Sequence, residues 1–346
     1  MAELAIIADD LTGALDAAAP FAMRGIPTAV ALSAEAMPEA MAGGARIVGV
    51  STDSREIGPE AARDAVRSAI AALPAGTRLF KKIDSRLKGN IAAELDAILY
   101  SHSLVIPAIP AFERGVRDGR LCGFGISEPI DIADRLGAHM ARATVPDIET
   151  QADIDNALAL DHDLAVGARG LAQSMAMRMA PGVTPADPIL PNRRALVVIG
   201  SIDPITHAQL DRLRAANPDV AHVAAPNGVG PGDAHLTAPV TIVQATPGTE
   251  RAASRHVAAA LAETVARLAP PLDTLLVLSG GATAQAILQR LDIGALQLVG
   301  EALPGLPVAT GGGLTFVTKS GGFGGVNTLQ QLLAPFHAHE ERTAST

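Results

Sequence analysis

Two adjacent aspartates, Asp9 and Asp10, close the first apolar run of the chain and lead directly into Leu11-Thr12-Gly13. Two further apolar runs end in a similar way. One gives Ser51-Thr52-Asp53-Ser54-Arg55, the other Lys81-Lys82-Ile83-Asp84-Ser85-Arg86-Leu87-Lys88-Gly89-Asn90. In an open α/β sheet, ligands sit beyond the carboxyl ends of the strands, so parallel strands would gather these three polar ends along one rim. The chemistry offered there suits a small polyhydroxylated anion. Arg55, Lys82, Arg86 or Lys88 can hold a carboxylate, Asp side chains accept from sugar hydroxyls, and one carboxylate can take the proton of an attacking hydroxyl. Each position also has a plainer reading: Asp10 or Thr12 as a helix cap, Ser85 as a helix start, the cations as a solvated face. Three polar strand ends in one domain favour a site.

A second set is marked by glycine. Ser279-Gly280-Gly281-Ala282-Thr283 follows an apolar run and opens a helical segment, and Lys319-Ser320-Gly321-Gly322-Phe323-Gly324-Gly325 also stands between a strand and a helix. Free backbone N–H groups at such turns favour phosphate, and two of them in one domain suggest a nucleotide. A single such turn can mean only tight packing. Neither is a G-x-x-x-x-G-K-[ST] loop, and no G-x-G-x-x-G follows a strand, so the P-loop and dinucleotide fingerprints are both missing. Gly311 to Gly313 reads as a turn between strands. Asp161-His162-Asp163 and the His337, His339 pair come without a third, well-placed ligand and read as solvated loop and tail. The metal expected is Mg²⁺ arriving with the nucleotide.

These groups need elements to position them. Short apolar runs alternate with segments of helical period, the signature of an α/β chain. Strands are expected at Leu4–Ala8, Ile47–Val50, Leu79–Ile83 and Leu104–Ala108, and helices at Leu11–Arg24, Pro59–Leu73 and Ile91–Tyr100. After Met179–Arg194, which holds Pro181, Pro185, Pro188 and Pro191 and reads as a linker, the pattern restarts. Strands at Ala195–Ile199, Val240–Gln244, Thr274–Leu278 and Leu314–Thr318 then alternate with helices at Ile205–Ala216, Arg251–Leu268, Thr283–Leu291 and Val326–Leu333. The expectation is two α/β domains with parallel or mixed sheets: residues 1–178 binding the acid, 179–194 linking, 195–336 binding nucleotide, and 337–346 a mobile tail.

Composition agrees with this division and excludes other classes. A chain of 346 residues is long enough for two cores. With 48% apolar residues, only 2% aromatic and no Trp, those cores must be built from Ala, Val, Leu and Ile. A formal charge of −9 and so few aromatics argue against nucleic acid. Cys122 is the lone cysteine and reads as a packed small hydrophobe. Glu3 stands where a signal peptide would carry a cation, and no apolar run is long enough to span a bilayer, so a cytoplasmic protein without a membrane partner is expected.

The same residues resemble the four-carbon acid sugar kinases, a family formerly described as a domain of unknown function. The likeness covers most of the chain. It is carried by IADDLTGALDAAAPFAMRG from Ile7, STDSR from Ser51, KKIDSRLKGNIAAELDAIL from Lys81 and PAIPAFERGVRDGRLCGFG from Pro107. In the second half it continues in VIGSIDPITHAQL from Val198, LSGGATAQAIL from Leu278, GEALPGLPV from Gly300 and VTKSGGFGG from Val317. The resemblance implies ATP-dependent phosphorylation of an acid such as threonate, erythronate or 3-oxo-tetronate, in a cleft between an acid-binding and a nucleotide-binding domain. It implies acid-side roles for Asp9, Asp10, Asp53, Ser54, Arg55, Lys82, Asp84, Arg86 and Asn90. On the nucleotide side it implies Ser201, Gly280, Gly281, Thr283, Pro304, Gly305, Gly321, Gly322 and Gly324.

Asp10, Asp84 and Lys82 are the candidate catalytic groups, with Asp10 as base in an in-line attack on the γ-phosphate of Mg·ATP. Three features depart from the family pattern. The Gly125–Thr144 segment is compressed, Arg169 replaces a small residue, and Asp203 replaces the second Ser of a G-S-x-S turn. A sugar-acid oxidoreductase and a non-catalytic sugar-acid sensor are the competing readings, and homo-oligomerisation stays open.

Overall fold

A computed structural model of the chain describes residues 2–343, apart from 186, 187, 189, 191, 192 and 237, and for 337–343 the backbone alone. The chain divides into two compact units, Met1–Ala186 with Gly294–Leu298, and Asp187–Ile293 with Val299–Thr346. The boundary falls inside the proline-rich segment, part of which lies outside the described residues.

In the first unit the elements follow as β1 (Leu4–Ala8), α1 (Leu11–Ala22), β2 (Thr28–Ala31), α2 (Met37–Ala42), β3 (Ile47–Ser51), α3 (Pro59–Ala71), β4 (Arg78–Lys82), α4 (Ile91–Leu95) and β5 (Ser103–Ile106). Three short strands, β6 (Arg114–Arg117), β7 (Arg120–Gly123) and β8 (Ile130–Asp131), form an antiparallel sheet of their own. Then come α5 (Ile132–Leu136), β9 (Ala143–Thr144), α6 (Gln151–Ala157), β10 (Leu164–Gly167) and α7 (Arg169–Met179). The main sheet runs β2-β3-β1-β4-β10-β5-β9, all parallel.

The centre of that sheet is β1, whose five residues are all buried, as expected of a parallel strand covered on both faces. Its neighbours are β3 and β4, and the pairings Ala8↔Ser51 and Ala8↔Lys82 end the three strands level with one another. The Ala-rich helix α1 packs close, with Ala14, Ala17, Ala18 and Phe21 wholly buried.

The second unit holds β11 (Arg194–Ile199), α8 (Pro204–Ala216), β12 (Ala221–Pro226), β13 (Val240–Thr246), α9 (Ser254–Leu268), β14 (Thr274–Ser279) and α10 (Gly281–Arg290). After these come β15 (Ala295–Leu303), β16 (Leu306–Gly311), β17 (Leu314–Lys319) and α11 (Thr328–Thr343). Its strands are ordered β12-β13-β11-β14-β17-β16, parallel except for the antiparallel pair β16–β17. Val197, Ile199, Leu275, Val277, Val317 and Leu329 sit at the centre of its core. Burying each such side chain contributes about 1.5–3 kcal/mol.

Three expectations are corrected here. Residues 295–297 pair antiparallel with β2, so Gly294–Leu298 belongs to the first unit although it lies deep in the second half of the chain. The helix expected over Ile91–Tyr100 stops at Leu95, leaving room for Tyr100 to turn inward onto His139. Residues 337–343 continue α11 rather than forming a tail, while 344–346 lie outside the described residues.

Candidate active site

The three polar strand ends of the first unit meet. Asp10 caps α1: its Oδ1 accepts from the Gly13 amide at 2.8 Å and its Oδ2 from Thr12 Oγ1 at 2.8 Å. Arg55, four residues past β3, donates Nε and Nη2 to the two oxygens of Asp9 at 2.7 and 2.9 Å. Its Nη1 donates to Asp10 Oδ2 at 2.8 Å, and Nη2 stands 3.5 Å from Asp84 Oδ2. Lys82, at the end of β4, is buried and donates Nζ to the Ile83 carbonyl at 2.7 Å. A Cβ on Gly13 would lie 2.5 Å from Asp10 Oδ1 and 3.2 Å from Lys82 Nζ, so a glycine here lets carboxylate and ammonium share the start of α1.

The cluster sets three carboxylates against two cations, and their environments separate the carboxylates. Burial, with Asp9 adding repulsion, raises the Asp10 carboxyl above its ordinary range although Arg55 and Lys82 pull the other way. Burial also opposes ionisation of Asp84. There, however, Arg55, Lys82 and the Arg86 and Lys88 amides prevail and hold its carboxyl below the usual range. Two neighbouring carboxylates are thus pushed in opposite directions.

Several residues expected to touch a ligand serve the site from beneath. Ser54 is fully buried, with Oγ donating to Glu94 and lying 2.7 Å from Thr52 Oγ1. Glu94 in turn pairs with buried Lys81 at 2.9 Å. Asn90 spends both Nδ2 hydrogens on the Ser54 and Ile57 carbonyls, each at 2.9 Å, and so ties down the loop that carries Arg55. Arg55 itself is engaged by Asp9, Asp10 and Asp84 as an internal counter-ion. Asp53 is exposed, with a left-handed backbone (φ 47°).

Two further cations belong to the same rim, Arg86 and Arg114. The Arg86 side chain makes no hydrogen bond or ion pair among the described residues. Arg114, from β6, donates Nη1 to Ser85 Oγ at 2.7 Å and Nε and Nη2 to the Phe124 carbonyl. Burial and the repulsion of the nearby Arg86 guanidinium pull Arg114 below the ordinary arginine range. Each guanidinium thus lies within the other's electrostatic field. Arg114 lies inside the family-like segment from Pro107, but only the packing of β6 against the Ser85 turn brings it to this rim. Arg169, the departure at the start of α7, is buried and directs Nη1 to Asp16 Oδ1 at 3.2 Å. Asp163 uses its carboxylate on the Ser101 and His102 amides, and His162 Nδ1 lies 2.7 Å from the Leu160 carbonyl.

In the second unit the glycine turns and the Ser201 turn come together. Gly280 ends β14 at φ +108° and begins α10 without any side-chain cap, leaving the first amides of that helix for an outside acceptor. A Cβ there would approach the Ser201 amide at 3.6 Å, and one on Gly321 would fall 2.3 Å from Ser201 Oγ. Gly305, in the Pro304-Gly305 turn between β15 and β16, has φ +75° and lies flat against the Phe323 ring, which a Cβ would strike at 2.1 Å. The turn thus backs the glycine loop. Gly281 is the first residue of α10, Gly322 and Gly324 lie half-buried in the loop, and Thr283 is buried with Oγ1 against Gly200. Asp203 caps α8 through the Ile205 amide at 2.9 Å, a task the family's Ser would also perform. This cradle of free amides fits the phosphates of a nucleotide.

Comparison with known proteins agrees with both halves. Residues 4–131 match the model of a sugar-binding N-terminal domain, and residues 231–329 that of a nucleotide-binding C-terminal domain. The chain is 30% identical to a D-threonate kinase of Cupriavidus necator, over 98% of each chain. It is 29% identical to a D-threonate kinase of Bordetella bronchiseptica, over 94% of this chain and 95% of the other. A solved protein of Salmonella typhimurium LT2, provisionally titled a tRNA synthase, shares the fold. Its TM-score is 0.73 at 20% identity, over 95% of this chain and 98% of that one. With both domain models matched and near-complete coverage of a 30% identical kinase, the chain belongs to the four-carbon acid sugar kinase family.

Proposed function

We propose that this protein is an ATP-dependent kinase that transfers the γ-phosphoryl group to a hydroxyl of a four-carbon sugar acid, with D-threonate as the first candidate. The observation that carries the reading is the paired character of the first unit's rim: an Asp cluster to receive hydroxyls beside the Arg86–Arg114 pair to receive a carboxylate. Hydroxyls and one carboxylate are what a tetronic acid presents.

The residues divide the work. Arg86 and Arg114 hold the carboxylate and set the acid's direction. Asp10, with its raised carboxyl, accepts the proton of the attacking hydroxyl. Lys82 offsets charge beside it, and Arg55 keeps Asp9, Asp10 and Asp84 from repelling one another. The amides of Gly281 and of the Gly321–Gly325 loop hold the phosphates. Mg²⁺, when bound with ATP, neutralises the phosphate oxygens. Among the described residues no group of three acidic, His or Cys side chains is arranged to hold a metal, and Asp84 is the carboxylate of the cluster kept charged.

The test is ADP release with Mg·ATP across D- and L-threonate, D- and L-erythronate and the corresponding tetritols. ADP is expected with one acid above the others and not with the tetritols, which lack the carboxylate. Equal turnover of acids and tetritols would remove the role given to Arg86 and Arg114, and no turnover of any acid would remove the substrate class.

A further inference from the structure

The Lys319 ammonium is wholly buried at the end of β17, immediately before the glycine loop, and nothing in the mechanism above uses it. Its three N–H donors have three acceptors: Thr206 Oγ1 at 3.1 Å, the Ser320 carbonyl at 3.0 Å and the Gly321 carbonyl at 2.8 Å. Thr206, in the first turn of α8, passes its own proton to the same Gly321 carbonyl. One turn further along α8, Gln209 donates Nε2 to the Phe323 and Gly325 carbonyls, each at 2.9 Å. The carbonyls of the loop are thus drawn toward α8 and Lys319. Among the described residues none accepts from the amides of Gly321, Gly322, Gly324 or Gly325. A peptide unit whose carbonyl is fixed on one side turns the neighbouring N–H groups to the other.

We propose that Lys319 is the positioning residue of the nucleotide-phosphate loop, its ammonium fixing the loop carbonyls so that the glycine amides face phosphate. This inference rests on reading the second unit as nucleotide-binding. All three ammonium donors are occupied, so Lys319 acts through the loop rather than by touching the ligand. Asp203 is the acidic residue that stands where family members carry Ser, and its carboxylate works against the burial that lowers the Lys319 amine to about 8. The other elements around Lys319 contribute hydroxyls and amides: Ser279 on the paired strand β14, and Thr206 and Gln209 on α8. His207, the remaining titratable group in that turn, has Nε2 3.2 Å from the Ser201 carbonyl.

Deprotonation of Lys319 removes one donor and the charge, and the loop carbonyls lose their anchor. Nucleotide affinity should then fall as pH rises through about 8. Because phosphate favours the protonated amine, binding near that pH should also draw a proton from solution.

The experiment is calorimetric titration of the full chain with Mg·ADP between pH 7.5 and 9.5, in buffers of differing ionisation enthalpy. Wild type is expected to bind about tenfold more weakly at the alkaline end, as loss of a charge-assisted contact of about 1.4 kcal/mol implies, with net proton uptake near pH 8.5. Asp203→Ser keeps the helix cap but removes the charge, and it should move the loss of affinity to lower pH. Lys319→Met should bind weakly, with a level profile and no proton uptake. Wild-type affinity that stays level across this range, or an Asp203→Ser profile that coincides with wild type, would overturn the inference alone. Absence of Mg·ADP binding at every pH would overturn the nucleotide reading and the inference with it.

Discussion

In the proposed mechanism the chemistry turns on Asp10, which would hold two posts. As the cap of α1 it accepts from the Gly13 amide, and as the base it must still offer a lone pair to a hydroxyl. A carboxylate has about four acceptor positions; three are filled by Gly13, Thr12 and Arg55, which leaves one. Asn caps a helix about as well as Asp but takes up no proton, so Asp10→Asn separates the posts. Turnover at saturating acid and ATP should fall by about 10² to 10⁴ while the melting temperature barely moves. The sign of the pH dependence follows from the raised carboxyl. Wild-type turnover is sustained while Asp10 is ionised and falls as pH drops through its value, which lies above the ordinary ~3.9 of an aspartate. Near-normal turnover of the variant at saturation would move the base to Asp84 or Asp53.

Arg114 gives the complementary case. It is assigned to ground-state holding of the carboxylate, so Arg114→Gln should raise KM for the acid by roughly 10- to 100-fold with a smaller change in kcat and none in KM for ATP. A matching fall in kcat with unchanged KM would place it in the transition state instead.

Among the elements, β1, β3 and β4 matter most because they end level, and what keeps their ends level lies underneath. The Lys81–Glu94 pair is buried at 0% and 1% exposure and links β4 to α4, while Ser54 ties the β3 loop to the same carboxylate. Removing one partner of a buried pair strands the other, at a cost of about 3–5 kcal/mol, whereas replacing both with apolar groups is often far milder. Glu94→Ala should therefore destabilise the first unit by about that amount in a denaturant titration. The double variant Lys81→Met/Glu94→Leu should recover most of it. A double variant no better than the single one would show that Glu94 matters for Ser54 and not for Lys81.

At the scale of the whole molecule, what could be read from the chain follows from how each signal arises. The strands at Leu4–Ala8 and Ile47–Ser51 and the helix after Asp10 were legible because a buried parallel strand is a continuous apolar run and a cap is a local event. The short β2, Thr28–Ala31, was not, since four residues carry too little pattern. Nor was the return of Gly294–Leu298 to the first unit, which depends on a pairing across more than 260 residues of chain. The polar rim was legible as a set of residue types, but its internal division was not. Sequence cannot tell that Arg55 is spent on three carboxylates while Arg114 is spent on Ser85 and the Phe124 carbonyl, because that is decided by distances. Lys319 stands at the head of its glycine turn, and only its burial sets it apart from a solvated cation.

The central claim, phosphoryl transfer to a sugar acid, is tested most directly by following the γ-phosphoryl group itself. ATP labelled at that position is incubated with Mg²⁺, the protein and the acid that gives the fastest ADP release, and the products are resolved by phosphorus NMR and mass spectrometry. The account predicts one phosphate monoester of the acid per ADP formed, with the carboxylate unmodified, and its loss in Asp10→Asn. Label appearing only as inorganic phosphate, or as an acyl phosphate on the carboxylate, would contradict it.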